Sequence, residues 1–356
     1  MAVRLAQTGF FSSVLIAFGF ATKLCGTLIA SFVSLVKEAM NTNQAPLRLA
    51  RPYLRSGLTI KNGGYSLNAL LWRGSWSDVF SATKLGASET VCVKSVCISR
   101  VRESRMARRE LWFHRNSIDT PPTIVSIQDW FIHREASRSI CFVMDLCDLS
   151  LVHLIDVANH AKAPKICVGE ISKLLSDISA SLIYLETHQI IHRDIHCGNI
   201  LWSASINCGM WRLTDFGSCC RIEEASGHMG LYGSLMYASP ESIKSERLMN
   251  RADVWSLGCC VFESLTLRRP FSATNLLKYQ HSCKIDSWFP INDPINLIKS
   301  RDYSDNERKI LDVIFQRMLV VDWRKRSDAS CITVPQLSDG ITFGLTASAV
   351  LNKLIV

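Results

Sequence analysis

Hydrophobic and polar positions change period along the chain. From residue 65 onward short runs alternate: residues 67–72 and 76–83 read as strands on either side of a tight turn at Gly74, and residues 89–96 as a third. Residues 100–116 read as a helix, and residues 123–132 and 139–144 as two further strands. This predicts a small, mainly antiparallel sheet with one helix. Beyond it the period lengthens. Val168, Ile171, Leu175, Ile178, Leu182 and Leu185 form one helical stripe, and Val254, Leu257, Val261 and Leu265 form another. The only strand candidates in this mainly helical part are residues 200–202 and 211–214. The fold class is therefore α+β, with a small sheet-rich lobe followed by a larger helical one.

The ends of the chain read differently. Residues 9–21 and 24–36 are free of charge and separated only by Thr22 and Lys23. Three readings compete for residues 1–43: a membrane anchor, a cleaved targeting segment and a packing helix. A span needs about 20 apolar residues, but a central lysine costs about 2.5–3.5 kcal/mol. If the segment anchors the chain, membrane association runs through residues 9–36 and the remainder faces the cytoplasm. Residues 44–64, with Pro46, Pro52 and Gly63-Gly64 among basic residues, read as a linker, and residues 336–356 as a tail.

Composition adds limits. At 356 residues and 48% apolar content the chain can bury a sizeable core, which excludes a disordered or fibrous class. The formal charge of +9 is concentrated at the front, where Arg4, Lys23, Lys37, Arg48, Arg51, Arg55, Lys61 and Arg73 face Glu38 alone. The rest is nearly neutral, so no nucleic-acid partner is expected. Fourteen cysteines, scattered and without a C-x-x-C spacing, read as reduced, mostly buried thiols, and no zinc site is expected.

Candidate chemistry is concentrated on either side of the two short strands of the helical part. His192-Arg193-Asp194 is followed five positions later by Asn199 and then by Asp215-Phe216-Gly217. Phosphoryl transfer needs a carboxylate beside the attacking hydroxyl, and carboxylate and amide oxygens to hold Mg²⁺ against phosphates. The grouping supplies both. With these motifs the sequence resembles the protein kinase family over residues 65–333. Val91-Cys92-Val93-Lys94 looks like its third-strand lysine motif, Ser239-Pro240-Glu241 like the end of its activation segment, and Asp253-Val254-Trp255-Ser256-Leu257-Gly258 like its central helix.

The resemblance implies a bilobal protein-kinase-like domain over residues 65–335, with an N-lobe at 65–144 and a C-lobe at 148–335. It implies ATP and Mg²⁺ as cofactors and proteins as substrates. Carried over by position, Asp194 is the catalytic base, Asn199 and Asp215 the Mg²⁺ ligands, and Lys94 the phosphate contact. Glu110, a better fit than Glu103, is the ion-pair partner of Lys94. Gly74 and Val79 belong to the nucleotide-binding hairpin, Met144 is the gatekeeper, and the hinge runs from Asp145 to Cys147. Glu241 is expected to pair with Arg326, and Ser234 matches the position of a hydroxyl in serine/threonine kinases. Ser226 is the nearest candidate for a phosphate that Arg193 could hold.

Two positions depart from the family pattern. Trp72, Gly74 and Ser77 occupy the three glycine positions of the phosphate-cradling turn, so one glycine survives. His196 stands where serine/threonine kinases carry a lysine and is expected to face the γ-phosphate; an imidazole supplies only part of a lysine's charge at neutral pH. The degenerate turn keeps a scaffolding pseudokinase open as an alternative. The segment His196-Cys197-Gly198-Asn199 keeps open a small-molecule kinase of the aminoglycoside or choline type.

Overall fold

The structure is a computed structural model that describes residues 56–60, 64–74, 77–99, 101–134, 138–160, 166–206, 209–225, 233–246, 248–281, 289–299, 303–332 and 346–355. The segment at 1–43, most of the expected linker and Ser226 lie outside the described residues. Among the described residues no helix is long and apolar enough to cross a membrane. The chain divides into two compact units. One holds the described residues up to Arg108, with Val125–Cys147 and Ser348–Val356; the other holds Arg109–Ile124 and Asp148–Ala347.

The first unit is built on a single antiparallel sheet. Its strands are β1 (Thr59–Ile60), β2 (Tyr65–Arg73), β3 (Ser77–Lys84), β4 (Thr90–Cys97), β5 (Ile127–His133) and β6 (Ser139–Asp145), in the order β1-β2-β3-β4-β6-β5. Helix α1 (Val101–Asn116) follows β4, and its residues from Arg109 belong to the second unit. Successive side chains on a strand point to opposite faces. The register sets Phe80 against Val93 and Val93 against Val143, and all three are fully buried. With Leu67, Val91 and Cys141 they form the core of this unit, each large apolar side chain contributing about 1.5–3 kcal/mol. Val79, Lys94 and Phe142 are likewise aligned across the strands, one residue out of phase, and so occupy the opposite face.

The second unit is mainly helical. After β7 (Leu149–Ser150) come α2 (Leu151–His160) and α3 (Val168–Thr187), then β8 (Ile190–Ile191), β9 (Ile200–Ser203), β10 (Met210–Leu213) and β11 (Cys220–Arg221). The helices α4 (Pro240–Ile243), α5 (Arg251–Thr266), α6 (Ala273–His281), α7 (Asn292–Lys299) and α8 (Asp305–Val313) follow; α9 (Ala347–Ile355) ends the described chain, and its residues from Ser348 belong to the first unit. Every residue of α5 after Arg251 is buried, so this helix is the axis of the unit. Its apolar residues run all round, which is why Asp253 and Glu263 stand out as buried carboxylates. The carboxylate of Glu170 on α3 accepts from Trp211 Nε1 at 2.7 Å and from Ala347 N at 3.3 Å, which fixes the start of α9.

The fold class is as the periodicity predicts, with three local differences. Thr59–Ile60 lies in the stretch read as a linker, yet it pairs with Ser66 and Tyr65, and Ile60 is buried. The strand expected over residues 123–132 begins at Ile127. Thr123 is instead drawn into the second unit, where its carbonyl accepts Leu213 N at 2.7 Å and Ser181 Oγ at 2.9 Å. The helical part also holds three two-residue strands, β7, β8 and β11, too short for any period to reveal.

Candidate active site

The strand register of the first unit gathers Val79, Lys94 and Met144 on one face of the sheet. Val79 lies opposite Lys94, and Cys92, two residues before Lys94, lies opposite Met144. Lys94 is buried inside β4, so its ammonium is not the solvated strand end that an isolated lysine would be. Asp145 ends β6 and takes a hydrogen bond from Gln128, and Cys147 follows, partly buried. Gly74 sits at the end of β2, where its N–H donates to Ser77 O at 2.9 Å. A Cβ on Gly74 would fall inside the indole of Trp72, so the exposed tryptophan ring can lie over the turn as long as residue 74 has no side chain. On α1, Glu103 and Glu110 are spaced by two turns on one face and are both buried.

In the second unit the residues 192–199 form a loop between β8 and β9. Its backbone is held from below by Asp253 at the start of α5: Oδ2 accepts His192 N at 2.7 Å and Oδ1 accepts Arg193 N at 3.0 Å. Arg193 adopts φ +67°, a left-handed conformation that costs a non-glycine residue about 1–2 kcal/mol, and the two bonds to Asp253 offset it. Asp253 is fully buried, and that burial pushes its carboxyl up to about 6 even though the two N–H donors pull it down. The sequence pattern marks the motif but assigns Asp253 no task. Its signal was a carboxylate opening an otherwise apolar helix.

His192 is buried. Its Nδ1 accepts Asp194 N at 3.3 Å and its Nε2 faces Thr214 O at 3.1 Å, so Nε2 carries the proton. Its ring meets Phe216 edge-on at 4.8 Å, and Phe216 stacks on Phe113 at 3.8 Å. This aromatic packing fixes the Asp215-Phe216-Gly217 turn, where Asp215 has φ +65° and its Oδ1 accepts Gly217 N at 3.3 Å. Arg193 turns its Nε to Ser218 O at 2.6 Å, which ties the loop to the residues after Phe216.

Asp194 and Asn199 are joined within the loop: Asn199 Nδ2 donates to Asp194 O at 2.9 Å. With its amide nitrogen so engaged, Asn199 presents its amide oxygen as the atom able to meet a cation. Thr214 N donates to Asn199 O at 3.0 Å, which ties Asn199 to the residue before Asp215. One carboxylate and one amide oxygen are hard donors, a set that fits Mg²⁺ carrying its own water and substrate phosphates. The carboxylate of Asp194 accepts Ser234 N at Oδ1, 3.2 Å away. Gly233 makes that approach possible: it has φ +76°, and a Cβ there would lie 2.5 Å from Arg193 O and 2.7 Å from Asp194 Oδ1.

The segment after Gly233 is anchored in turn. Tyr237 donates its hydroxyl to Glu263 at 2.6 Å and its carbonyl accepts from Ser256 at 2.8 Å. Glu241 and Arg326 form the expected pair, with Nη1–Oε1 at 2.6 Å and Nη2–Oε2 at 3.0 Å, fully buried. The described cysteines are free and mostly buried, and burial pushes the thiol of Cys92 up to about 12 and that of Cys220 to about 11. Among the described residues no group of three or more His, Cys, Asp or Glu side chains is placed to hold a metal.

Comparison with known proteins agrees with this geometry. The description of the protein kinase domain matches residues 65–335. The chain is 26% identical over 308 residues to "Putative serine/threonine-protein kinase A" of Trypanosoma brucei brucei, covering 82% of this chain and 66% of that protein. It is 29% identical over 209 residues to "Cytokinesis protein sepH" of Emericella nidulans, covering 58% of this chain and 15% of that protein. It is 24% identical over 300 residues to "Serine/threonine-protein kinase PLK4" of Drosophila grimshawi, covering 81% of this chain and 38% of that protein. The chain thus spans less than two thirds of the length of each of these relatives. A domain match over most of the chain, on the same residues that build the Asp194 loop and the Phe216 turn, makes this chain a member of the protein kinase family.

Proposed function

We propose that the chain transfers the γ-phosphoryl group of ATP to serine or threonine hydroxyls of protein substrates. The observation that carries this reading is the state of the Asp194 loop. Its backbone is tied to buried Asp253, Asn199 to Asp194 O, and the Asp194 carboxylate to Ser234 N. A chain that served only as a scaffold would have no need of these bonds, which surround Arg193 at φ +67°.

Asp194 is the group that takes the proton of the attacking hydroxyl, and its orientation is set before substrate arrives. Asn199 and Asp215 would hold Mg²⁺, which when bound neutralises charge on the phosphates. Lys94 would contact the α- and β-phosphates. Val79 and Met144 would line the base pocket, and the backbone at Asp145 to Cys147 would meet the adenine edge. Serine/threonine specificity is supported by Ser234 beside Asp194 and by the names of two relatives.

A second reading, a pseudokinase, is favoured by Trp72, whose indole lies against Gly74 where small residues would let phosphates approach. One experiment separates the two. Asp194→Asn should abolish transfer while Mg-ATP binding persists, and Asp215→Ala should abolish transfer and also weaken Mg-ATP binding. A wild-type chain that binds nucleotide without transferring phosphate would favour the second reading.

A further inference from the structure

The loop that carries Asp194 contains an interlock that the phosphotransfer reading leaves unused. His196 turns its ring back over its own loop, and Nδ1 accepts the N–H of Gly198 at 3.0 Å, capping the short turn Cys197–Asn199. An imidazole nitrogen that accepts a hydrogen bond from an amide carries no proton, so in the neutral ring the proton sits on Nε2. That nitrogen lies 3.8 Å from Asp194 Oδ1. The same oxygen accepts Ser234 N at 3.2 Å, so donors from two separate segments converge on it. The spacing to His196 is longer than a direct hydrogen bond, as contacts to catalytic groups often are before substrate tightens the site. Tyr237 limits the ring from a further side, with centroids 5.9 Å apart, and is itself held by Glu263.

The ring fits only because residue 198 has no side chain. A Cβ on Gly198 would come 2.8 Å from Cε1 and 3.0 Å from Nδ1 of His196. A lysine at 196 could neither accept the Gly198 N–H nor place a ring there, so it would free position 198 from this constraint.

We propose that His196 is a positioning residue for Asp194, and that Gly198 is required through His196. The imidazole, pinned by the Gly198 N–H, presents Nε2–H to Asp194 Oδ1 and holds the carboxylate in the rotamer that meets the substrate hydroxyl. This rests on the reading of Asp194 as the base.

The test uses the full chain and compares kcat and KM for ATP in wild type, His196→Ala, His196→Gln, His196→Lys, Gly198→Ala and the double variant His196→Lys/Gly198→Ala, with Asp194→Asn as reference and thermal melts to confirm folding. His196→Ala should lower kcat about 10–10²-fold, the cost of a misplaced catalytic group, with KM for ATP within about twofold of wild type. His196→Gln, which can accept from Gly198 and donate to Asp194, should recover most of the loss. Gly198→Ala should cost as much as His196→Ala in the histidine background and several-fold less in the lysine background. Three results would overturn the proposal: equal Gly198→Ala effects in both backgrounds, His196→Gln as impaired as His196→Ala, or a rise in KM for ATP that accounts for the whole defect, which would make His196 a phosphate ligand. Retained transfer in Asp194→Asn would remove the base reading and the proposal with it; loss of transfer there with additive Gly198 effects would remove the interlock alone.

Discussion

Replacing Glu241 with glutamine removes one charge and little volume, and the structure allows the cost to be worked out. Arg326 is buried, and every face of its guanidinium is engaged: two bonds to Glu241, Nε to Val320 O at 2.9 Å, a second Nη1 bond to Arg251 O at 2.8 Å, and Trp255 beneath it at 5.0 Å. In Glu241→Gln one carboxylate oxygen becomes an amide that opposes a guanidinium donor, and a buried cation loses its counter-charge. Two charge-assisted bonds at about 1.5–3 kcal/mol each give a loss of about 3–6 kcal/mol. Breaking a buried ion pair by removing one partner gives about 3–5 kcal/mol, in agreement. At about 2–4 °C per kcal/mol for a large domain, the melting temperature should fall by roughly 6–20 °C. The assay is urea and thermal unfolding followed by circular dichroism, run on Glu241→Gln, Arg326→Met and the double variant. The double variant should be more stable than the sum of the single losses predicts, because no uncompensated charge remains. A Glu241→Gln protein within about 1 kcal/mol of wild type, or strictly additive losses, would refute the reasoning.

Asp253 titrates near 6 in the folded chain against an ordinary 3.8, so the folded state binds more protons between these values. Its favourable contribution is complete below the ordinary value and is lost as pH rises through about 6; the stability of wild type relative to Asp253→Asn should therefore fall from pH 4 to pH 7 in urea unfolding, and a flat or rising difference would contradict the burial argument. Gly233→Ala should destabilise the chain by about 1–2 kcal/mol through the left-handed backbone alone, and should lower kcat because the new methyl displaces Asp194; stopped-time kinetics showing wild-type turnover would exclude that contact. Tyr237→Phe leaves Glu263 without its 2.6 Å donor and should cost about 1.5–3 kcal/mol, read from the unfolding midpoint, with no change meaning that the bond is not formed in solution.

How much of this was legible in the sequence depends on distance along the chain. The β3 and β4 alternation and the α3 stripe are local, and local period places such elements to within a residue or two. The spacing of Asp194, Asn199 and Asp215 is also local. Asp253, by contrast, acts on backbone N–H groups about sixty residues away, and a backbone donor leaves no trace in residue identity. The start of β5 at Ile127 is not legible for the same reason, because Thr123 is claimed by Leu213 and Ser181 rather than by its own strand. The strand Thr59–Ile60 was hidden among proline, glycine and basic residues that signal a linker by composition. The Trp72–Gly74 and His196–Gly198 contacts are two residues apart, yet they depend on rotamers that no pattern of residue types specifies.

The central claim is that this chain uses Mg-ATP to phosphorylate protein hydroxyls through Asp194 with Asn199 and Asp215 holding the metal. Its most direct test is to incubate the full chain with γ-labelled ATP, Mg²⁺ and generic protein substrates beside an Asp215→Asn control, and to identify the labelled amino acid after hydrolysis. The account predicts label on serine or threonine with the wild-type chain, dependent on Mg²⁺, and none with Asp215→Asn. Label undiminished in Asp215→Asn, or its absence from the wild-type reaction when Mg-ATP is bound, would contradict it.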